Sequence, residues 1–226
     1  MLAAGEADSA AANSALEWLC KSYRYPLYVH VRRLGRGPED AEDLIQQFLS
    51  RFIERRYLQR ADPQRGRFRS FLLTSLKHFL ADEWDKLRAL KRGGGQPAIS
   101  WDGVDPEERY RLEPADTLTP DVAYEKRWAR TVLDTVLGQL RAEKQANGEG
   151  REFELLVQFV WGDGGAGNSY TEIAAALNLT ETAARQKVHR LRKQVREQLR
   201  EEVARTVSAP EEVDDELRYL RSLLSG

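Results

Sequence analysis

Apolar residues recur along this chain at the three- and four-residue spacing of helices that bury one face, and β-branched runs are almost absent. The spacing predicts a first helix behind the capping-box pattern Ser14-Ala-Leu-Glu17. Leu16, Leu19, Tyr23, Leu27 and Val31 form its stripe, Pro26 kinks it, and Gly35 and Gly37 end it. Pro38 opens a second helix where its missing N–H costs nothing, and Glu39, Asp40, Glu42 and Asp43 complement the dipole of the first turns. Leu44, Ile45, Phe48, Leu49, Phe52 and Ile53 give that helix a broad buried face. A basic connection from Arg55 to Arg67 is broken by Asp62-Pro63 and Gly66. A third helix then runs from about Phe68 to Lys91, with Phe68, Phe71, Leu72, Leu76, Phe79, Leu80 and Leu87 inward, until Gly93-Gly94-Gly95 stops it.

Residues 93–119 differ in character. Pro97, Pro106 and Pro114 interrupt every element there, and Asp102, Asp105, Glu107, Glu108, Glu113 and Asp116 make the stretch acidic. It reads as an interdomain linker, with Trp101, Tyr110 and Leu112 available to dock parts of it on a domain surface. Thr119-Pro120 then caps and starts a helix through Trp128, Val132, Leu133, Val136, Leu137 and Leu140, punctuated by Asn147-Gly148. A short apolar helix spans Glu152 to Trp161. The glycine-rich loop 162–168 lacks the lysine and spacing of a phosphate cradle and leads to a second capping box, Ser169-Tyr-Thr-Glu172. The expectation is an all-α chain: two small helical domains, 14–92 and 120–207, joined by the acidic linker 93–119 and followed by an acidic amphipathic extension, 208–226.

Of the 226 residues, 41% are hydrophobic and 31% charged, which describes a charge-rich globular protein. Its formal net charge of -1 argues against a nucleic-acid partner only if the charge is evenly spread, and it is not. Cys20, the only cysteine, leaves neither a disulfide framework nor a cysteine-based metal site, and it is expected to pack as a small apolar residue. With no secretory signal and no run of about 20 apolar residues, the protein is expected in the cytoplasm.

Two constellations carry chemistry. In the first, Ile173, Ala174 and Leu177 form the inner face of a short helix, Asn178-Leu179 makes a tight turn, and Thr180 caps a second helix fixed inward by Val188, Leu191 and Val195. The outer face of that second helix presents Thr182, Arg185, Gln186, Lys187, His189, Arg190 and Lys193, as a helix entering the major groove does. Arg185, Lys187, Arg190, Arg192, Lys193, Arg196 and Arg200 stand there against Glu181 and Glu197, a local excess that the whole-chain charge conceals. A solvated helical hairpin is the bland alternative, and the agreement of cap, small residue, turn and basic face disfavours it. His189 has no second histidine or carboxylate to suggest a metal. In the second constellation, residues 51–92 mix arginines and lysines with Tyr57, Phe68, Phe71 and Trp84, a composition suited to single-stranded DNA. Phe71 and Phe79 are assigned to the core. The irregular stretch Arg55–Arg69 is the better nucleic-acid contact, because its charges follow no helical face.

On these residues the chain resembles extracytoplasmic-function sigma factors, the compact two-domain members of the sigma-70 family. Pro38-Glu-Asp-Ala-Glu-Asp-Leu-Ile-Gln-Gln-Phe-Leu-Ser-Arg-Phe is similar to the second region of their domain two. The resemblance implies that Asp43, Gln46 and Gln47 bind the clamp helices of the largest subunit of core RNA polymerase, with Phe48 as a core anchor. Arg67-Phe-Arg-Ser-Phe-Leu-Leu-Thr-Ser-Leu-Lys-His-Phe-Leu-Ala-Asp-Glu is similar to the following helix, with His78 and Asp82 where an Asn-x-x-x-Asp is usual. It implies that the preceding segment, with Arg56, Tyr57, Arg60, Arg65 and Arg67, meets unpaired bases of the −10 element. Tyr170 to Arg192 resembles domain four, which implies double-stranded −35 DNA as its ligand. Tyr25-Pro-Leu-Tyr, Gly66-Arg-Phe-Arg-Ser-Phe-Leu and Lys91-Arg-Gly-Gly-Gly resemble a subgroup with a long linker and a C-terminal extension. Such chains carry further residues ahead of a Leu-Ala-Ala-Gly like that at 2–5, so this one is expected to start late.

The reading implies promoter recognition without catalysis, cofactor or metal, since polymerase supplies the chemistry and the magnesium; an antagonist protein is a further partner it allows. The alternative is a helix-turn-helix regulator that does not engage polymerase, which has no evident need of the acidic-then-apolar helix at 38–53. A metal-dependent nuclease built on Asp40, Glu42 and Asp43 is disfavoured, because dipole complementation already explains those acids. In the extension, Val213, Leu217, Leu220 and Leu224 share a helical face behind Glu211, Glu212, Asp214, Asp215 and Glu216. A docking helix is the modest reading, and an acidic cover over a basic DNA-binding surface the sharper one.

Overall fold

The computed structural model describes residues 2–54, 67–89, 106–111, 118–160, 169–207 and 209–225, and among these every regular element is helical. The chain divides into two compact units, one of residues 1–131, 206–208 and 221–226, the other of residues 132–205 and 209–220.

In the first unit, α1 runs from Leu2 to Arg33 and continues through Pro26. It starts well before Ser14: the alanine-rich residues ahead of that serine are strong helix formers, so nothing obliges the chain to begin its helix at the capping-box pattern. It ends where Gly35 takes the left-handed conformation, φ +86°, and its N–H donates to the Arg32 carbonyl. Helix α2, Pro38–Glu54, has proline in its first turn, with the Ala41 N–H on the Gly37 carbonyl at 2.9 Å. Helix α3 is Phe68–Ala89. The three close on a core of Leu19, Tyr23, Leu27 and Val31 from α1, Ile45, Phe48 and Phe52 from α2, and Leu72, Leu76 and Phe79 from α3. Phe48 lies 5.6 Å from Phe52 and 5.7 Å from Phe79, ring centre to ring centre. Phe79 is core, as expected; Phe71 is half-buried against Phe52 and Phe68. Arg24 pairs with Glu42 where α1 packs on α2.

Within the acidic stretch, Pro106 begins an element instead of interrupting one. Helix α4, Pro106–Arg111, is short and docked on α1. Glu107 explains the docking: Tyr28 donates to its carboxylate at 2.5 Å, and the Arg32 guanidinium grips both oxygens at 2.9 and 3.1 Å. Burial pushes the Glu107 carboxyl up, but the hydrogen bonds from Tyr28 and Arg32 outweigh it and hold the group below its usual range. Arg32 also lies over the Tyr110 ring, and Arg109 over that of Tyr25.

Helix α5, Pro120–Ala146, starts at Thr119, whose hydroxyl accepts from the Val122 N–H, and Pro120 sits where its missing N–H costs nothing. Its first half belongs to the first unit, where Tyr124 and Trp128 are fully buried. His30 of α1 is buried beside it, Nδ1 3.7 Å from Asp121, with Tyr124 edge-on to the ring and Lys77 of α3 on the other Asp121 oxygen. Burial lowers the His30 pKa from 6.5; the Pro120 carbonyl and Asp121 oppose that, and Lys77 adds to it. With the folded value below the unfolded one, the unfolded chain binds the extra proton first. The contribution is therefore complete above about pH 6.5 and is lost as pH falls below it. Melting temperature should drop between pH 7 and pH 5.5, and His30→Leu should flatten that part of the profile. An equally steep profile in the variant would place the titrating group elsewhere.

The second unit comprises the rest of α5 with α6 (Gly150–Val157), α7 (Tyr170–Ala176), α8 (Glu181–Ala204) and most of α9 (Val213–Ser225). Helix α6 ends earlier than expected, in a turn to Val160 whose Phe159 carbonyl is taken by the Arg192 guanidinium at 2.8 and 3.0 Å. Val136 and Leu140, Phe153 and Leu156, Ile173 and Ala174, and Val188, Leu191 and Val195 are all buried. The glycine-rich loop 162–168 lies outside the described residues.

Candidate nucleic-acid interface

Helices α7 and α8 and the turn between them form a helix-turn-helix whose local chemistry accounts for each bend. The capping box is reciprocal: the Glu172 N–H donates to Ser169 Oγ at 3.2 Å and the Ser169 N–H to Glu172 Oε2 at 2.9 Å. Asn178 turns the chain at φ +52°, in the left-handed region that asparagine tolerates, and the Leu179 N–H reaches back to the Ala174 carbonyl at 2.8 Å. Thr180 caps α8 through its hydroxyl, which accepts from the Ala183 N–H.

Thr182, Arg185, Gln186, His189, Arg190 and Lys193 are exposed on α8, and the first five line one open depression. Lys187, expected beside them, is turned differently: it is half-buried, with its ammonium on both oxygens of Glu152 of α6 at 2.7 and 2.8 Å. Its place at the edge of the Ala184–Val188–Leu191 stripe explains this, since a long side chain at that edge lies along the neighbouring helix. Arg185 is oriented before any ligand arrives. Its guanidinium donates to Glu181 at 2.7 and 3.0 Å and lies 4.1 Å over the Tyr170 ring, which packs on Phe159. The hydrogen bonds from Arg185 and Thr171 hold the Glu181 carboxyl below its usual range. Glu181 sits four residues before Arg185, a visible signal; the support from Tyr170 comes from the other helix and gave none.

The extension meets α8 at a different place. Asp214 pairs with Arg200, about 15 Å along the helix from Arg190 at 1.5 Å per residue. Val213 and Leu220 are buried and Leu217 half-buried, so α9 is a docked amphipathic helix.

In the first unit, Asp43 and Gln47 are exposed one turn apart on α2, with Gln46 half-buried between them and Phe48 at 3% exposure anchoring the opposite side. His78 and Asp82 are exposed on α3. Of the residues predicted to meet unpaired bases, Arg56, Tyr57, Arg60 and Arg65 lie outside the described residues. Arg67 is half-buried at the start of α3, its carbonyl accepting from the Ser70 and Phe71 N–H groups. The expectation that the whole stretch Arg55–Arg69 faces nucleic acid fails at its last residue, which lies in the first turn of α3 and is turned into the core. Arg69, 3% exposed, pairs with Glu125 of α5 at 2.5 Å and lies 4.8 Å over the Trp128 ring, while the Tyr124 hydroxyl donates to the Arg69 carbonyl. A partner 56 positions away leaves no local spacing to read.

No helix among the described residues is long and apolar enough to cross a membrane. No curated protein and no solved structure matches the chain. Residues 19–90, however, match the family described as Sigma-70 region 2, a span that runs from within α1 through α2 and α3 and includes Asp43, Gln46, Gln47 and Arg67. Over that span, 72 of the 226 residues, the chain carries a Sigma-70 region 2 on the bundle described above.

Proposed function

We propose that the chain is an extracytoplasmic-function type of sigma factor with a long acidic linker and a C-terminal extension, acting in the cytoplasm. In this reading residues 14–92 are domain two, which grips the clamp helices of core RNA polymerase through Asp43, Gln46 and Gln47. The stretch that includes Arg56, Tyr57, Arg60, Arg65 and Arg67 holds the unpaired −10 strand. Residues 120–207 carry domain four, although the first half of α5 packs in the first unit; the domain's helix α8 enters the major groove of the −35 duplex with Thr182, Arg185, Gln186, His189 and Arg190 toward base edges and Lys193 toward phosphate. Lys187 belongs to the set by position and acts on α6, as the strut to Glu152. Residues 93–119 are the linker and 208–226 the extension.

One observation supports this above all: a sigma-70 region 2 and a helix-turn-helix with an exposed basic outer face occur in the same chain. A region 2 alone does not account for the second, and a regulator independent of polymerase does not account for the first. Recovery with core polymerase tests the reading at its least ambiguous point. The parent chain should co-purify with core enzyme, and an Asp43→Ala, Gln47→Ala double variant, both positions being exposed, should lose that association without losing its fold. Undiminished association would remove α2 from the contact.

A further inference from the structure

We infer that the buried Arg69–Glu125 pair, seated on Trp128, is a positioning element that holds Arg67 and the first turn of α3 in register for the unpaired promoter strand. The inference rests on the function proposed above and adds to it a role for α5, a helix beyond the span that matches region 2.

Arg69 is badly placed for helix stability. A cation in the first turn opposes the helix dipole, and α3 has no acidic residue there to compensate. Burying a guanidinium is costly as well, yet Arg69 is 3% exposed. Glu125 answers both, bringing its carboxylate from α5 to 2.5 Å, and the flat face of the guanidinium rests on the Trp128 ring. The backbone is tied down at the same place. Tyr124 donates to the Arg69 carbonyl at 3.0 Å, the Phe68 N–H donates to the Thr206 carbonyl at 3.4 Å, and Tyr23 packs edge-on against Phe68 at 5.5 Å. Burial drives the Tyr23 phenol well above its ordinary range, with Trp128 and Arg69 opposing and Glu125 reinforcing, so the hydroxyls around Arg69 stay neutral. Two residues upstream stands Arg67, whose carbonyl opens the helix. Anchoring of this density on one turn fixes the backbone from which Arg67 projects. A buried ion pair yields little net stability, so the role assigned to this one is the arrangement it specifies, which serves the strand to be gripped.

The test uses the full chain with core polymerase on a promoter that it transcribes, supplied either as duplex or with the −10 region already unpaired. An Arg69→Met, Glu125→Leu double variant keeps the packing and removes the pair. Its melting temperature and core affinity should stay close to the parent's, while run-off product from duplex falls at least tenfold and product from the unpaired template recovers to within about threefold. Arg69→Lys keeps the charge but not the planar grip and should show a smaller defect with the same dependence on template. Fluorescence of 2-aminopurine placed in the −10 strand should rise more slowly in the variant as the duplex opens. Equal loss on both templates would reduce the pair to a structural contact, and full activity on duplex would remove it from promoter opening; either overturns the inference. Failure of the parent chain to initiate on any template would instead count against the underlying function.

Discussion

An Arg185→Ala, Arg190→Ala double variant is expected to bind a −35 duplex roughly 30-fold or more weakly than the parent at fixed salt, because each contact of this kind is worth about 1–3 kcal/mol. Both side chains are exposed on α8 and line the same depression. Arg185 is also pre-oriented by Glu181 and Tyr170, so less conformational freedom is lost when it meets a base edge. The loss should be larger on the cognate duplex than on an unrelated one. A shift shared equally by both sequences would assign these arginines to phosphate alone. Lys187→Ala supplies the contrast within the same helix. Its ammonium is engaged with Glu152, so binding should stay within about threefold of the parent, and the variant should show instead the small stability loss of a partly exposed ion pair. Filter-binding or anisotropy titrations of the variants on two duplexes, at two salt concentrations, read all of this.

The largest effect on folding is expected at Trp128. It is fully buried in the first unit, beneath Arg69 and beside Tyr23. Trp128→Ala should cost about 3–5 kcal/mol, a large part of the roughly 5–15 kcal/mol that holds an ordinary domain together. Melting temperature should fall on the order of 10 °C, and the same change at exposed Trp84 should lower it by only a degree or two. The consequence is architectural: Trp128 lies well beyond the span that matches region 2, so the core around α1 and α3 is completed by a helix from further along the chain. A Trp128→Ala chain as stable as the parent would show that α5 is dispensable to that unit.

Trp128 and Arg185 owe their roles to contacts that are only partly legible in the sequence. Local signals served well wherever one residue answers to its near neighbours. Ser169 with Glu172, Thr180 before α8, Pro38 and Thr119-Pro120 each mark a helix start, because orphan N–H groups within one turn are the whole of the problem that they solve. The same logic misled at Ser14, where equally good helix formers on both sides let the helix run through the motif. It misled again at Pro106, which begins a turn of helix once Glu107 has Tyr28 and Arg32 to bind. Lys187 looked outward by sequence, and only Glu152, brought up by α6, turns it aside. Arg69 with Glu125 lies wholly beyond local pattern, because their meeting depends on how α3 and α5 pack. Patterning thus located the helices and most of the basic face. The contacts that orient Arg185 and Lys187, and those that fix the backbone at Arg67, belong to tertiary structure.

The central claim is that this chain gives core polymerase the ability to start at promoters, and run-off transcription tests it most directly. Core enzyme free of other sigma factors would be combined with the purified chain and a library of promoter fragments. Discrete, chain-dependent transcripts from a subset of fragments, with a shared upstream and −10 sequence, are the predicted result, and they should disappear with the Asp43→Ala, Gln47→Ala variant. Binding of duplex DNA with no chain-dependent initiation on any fragment would contradict the account.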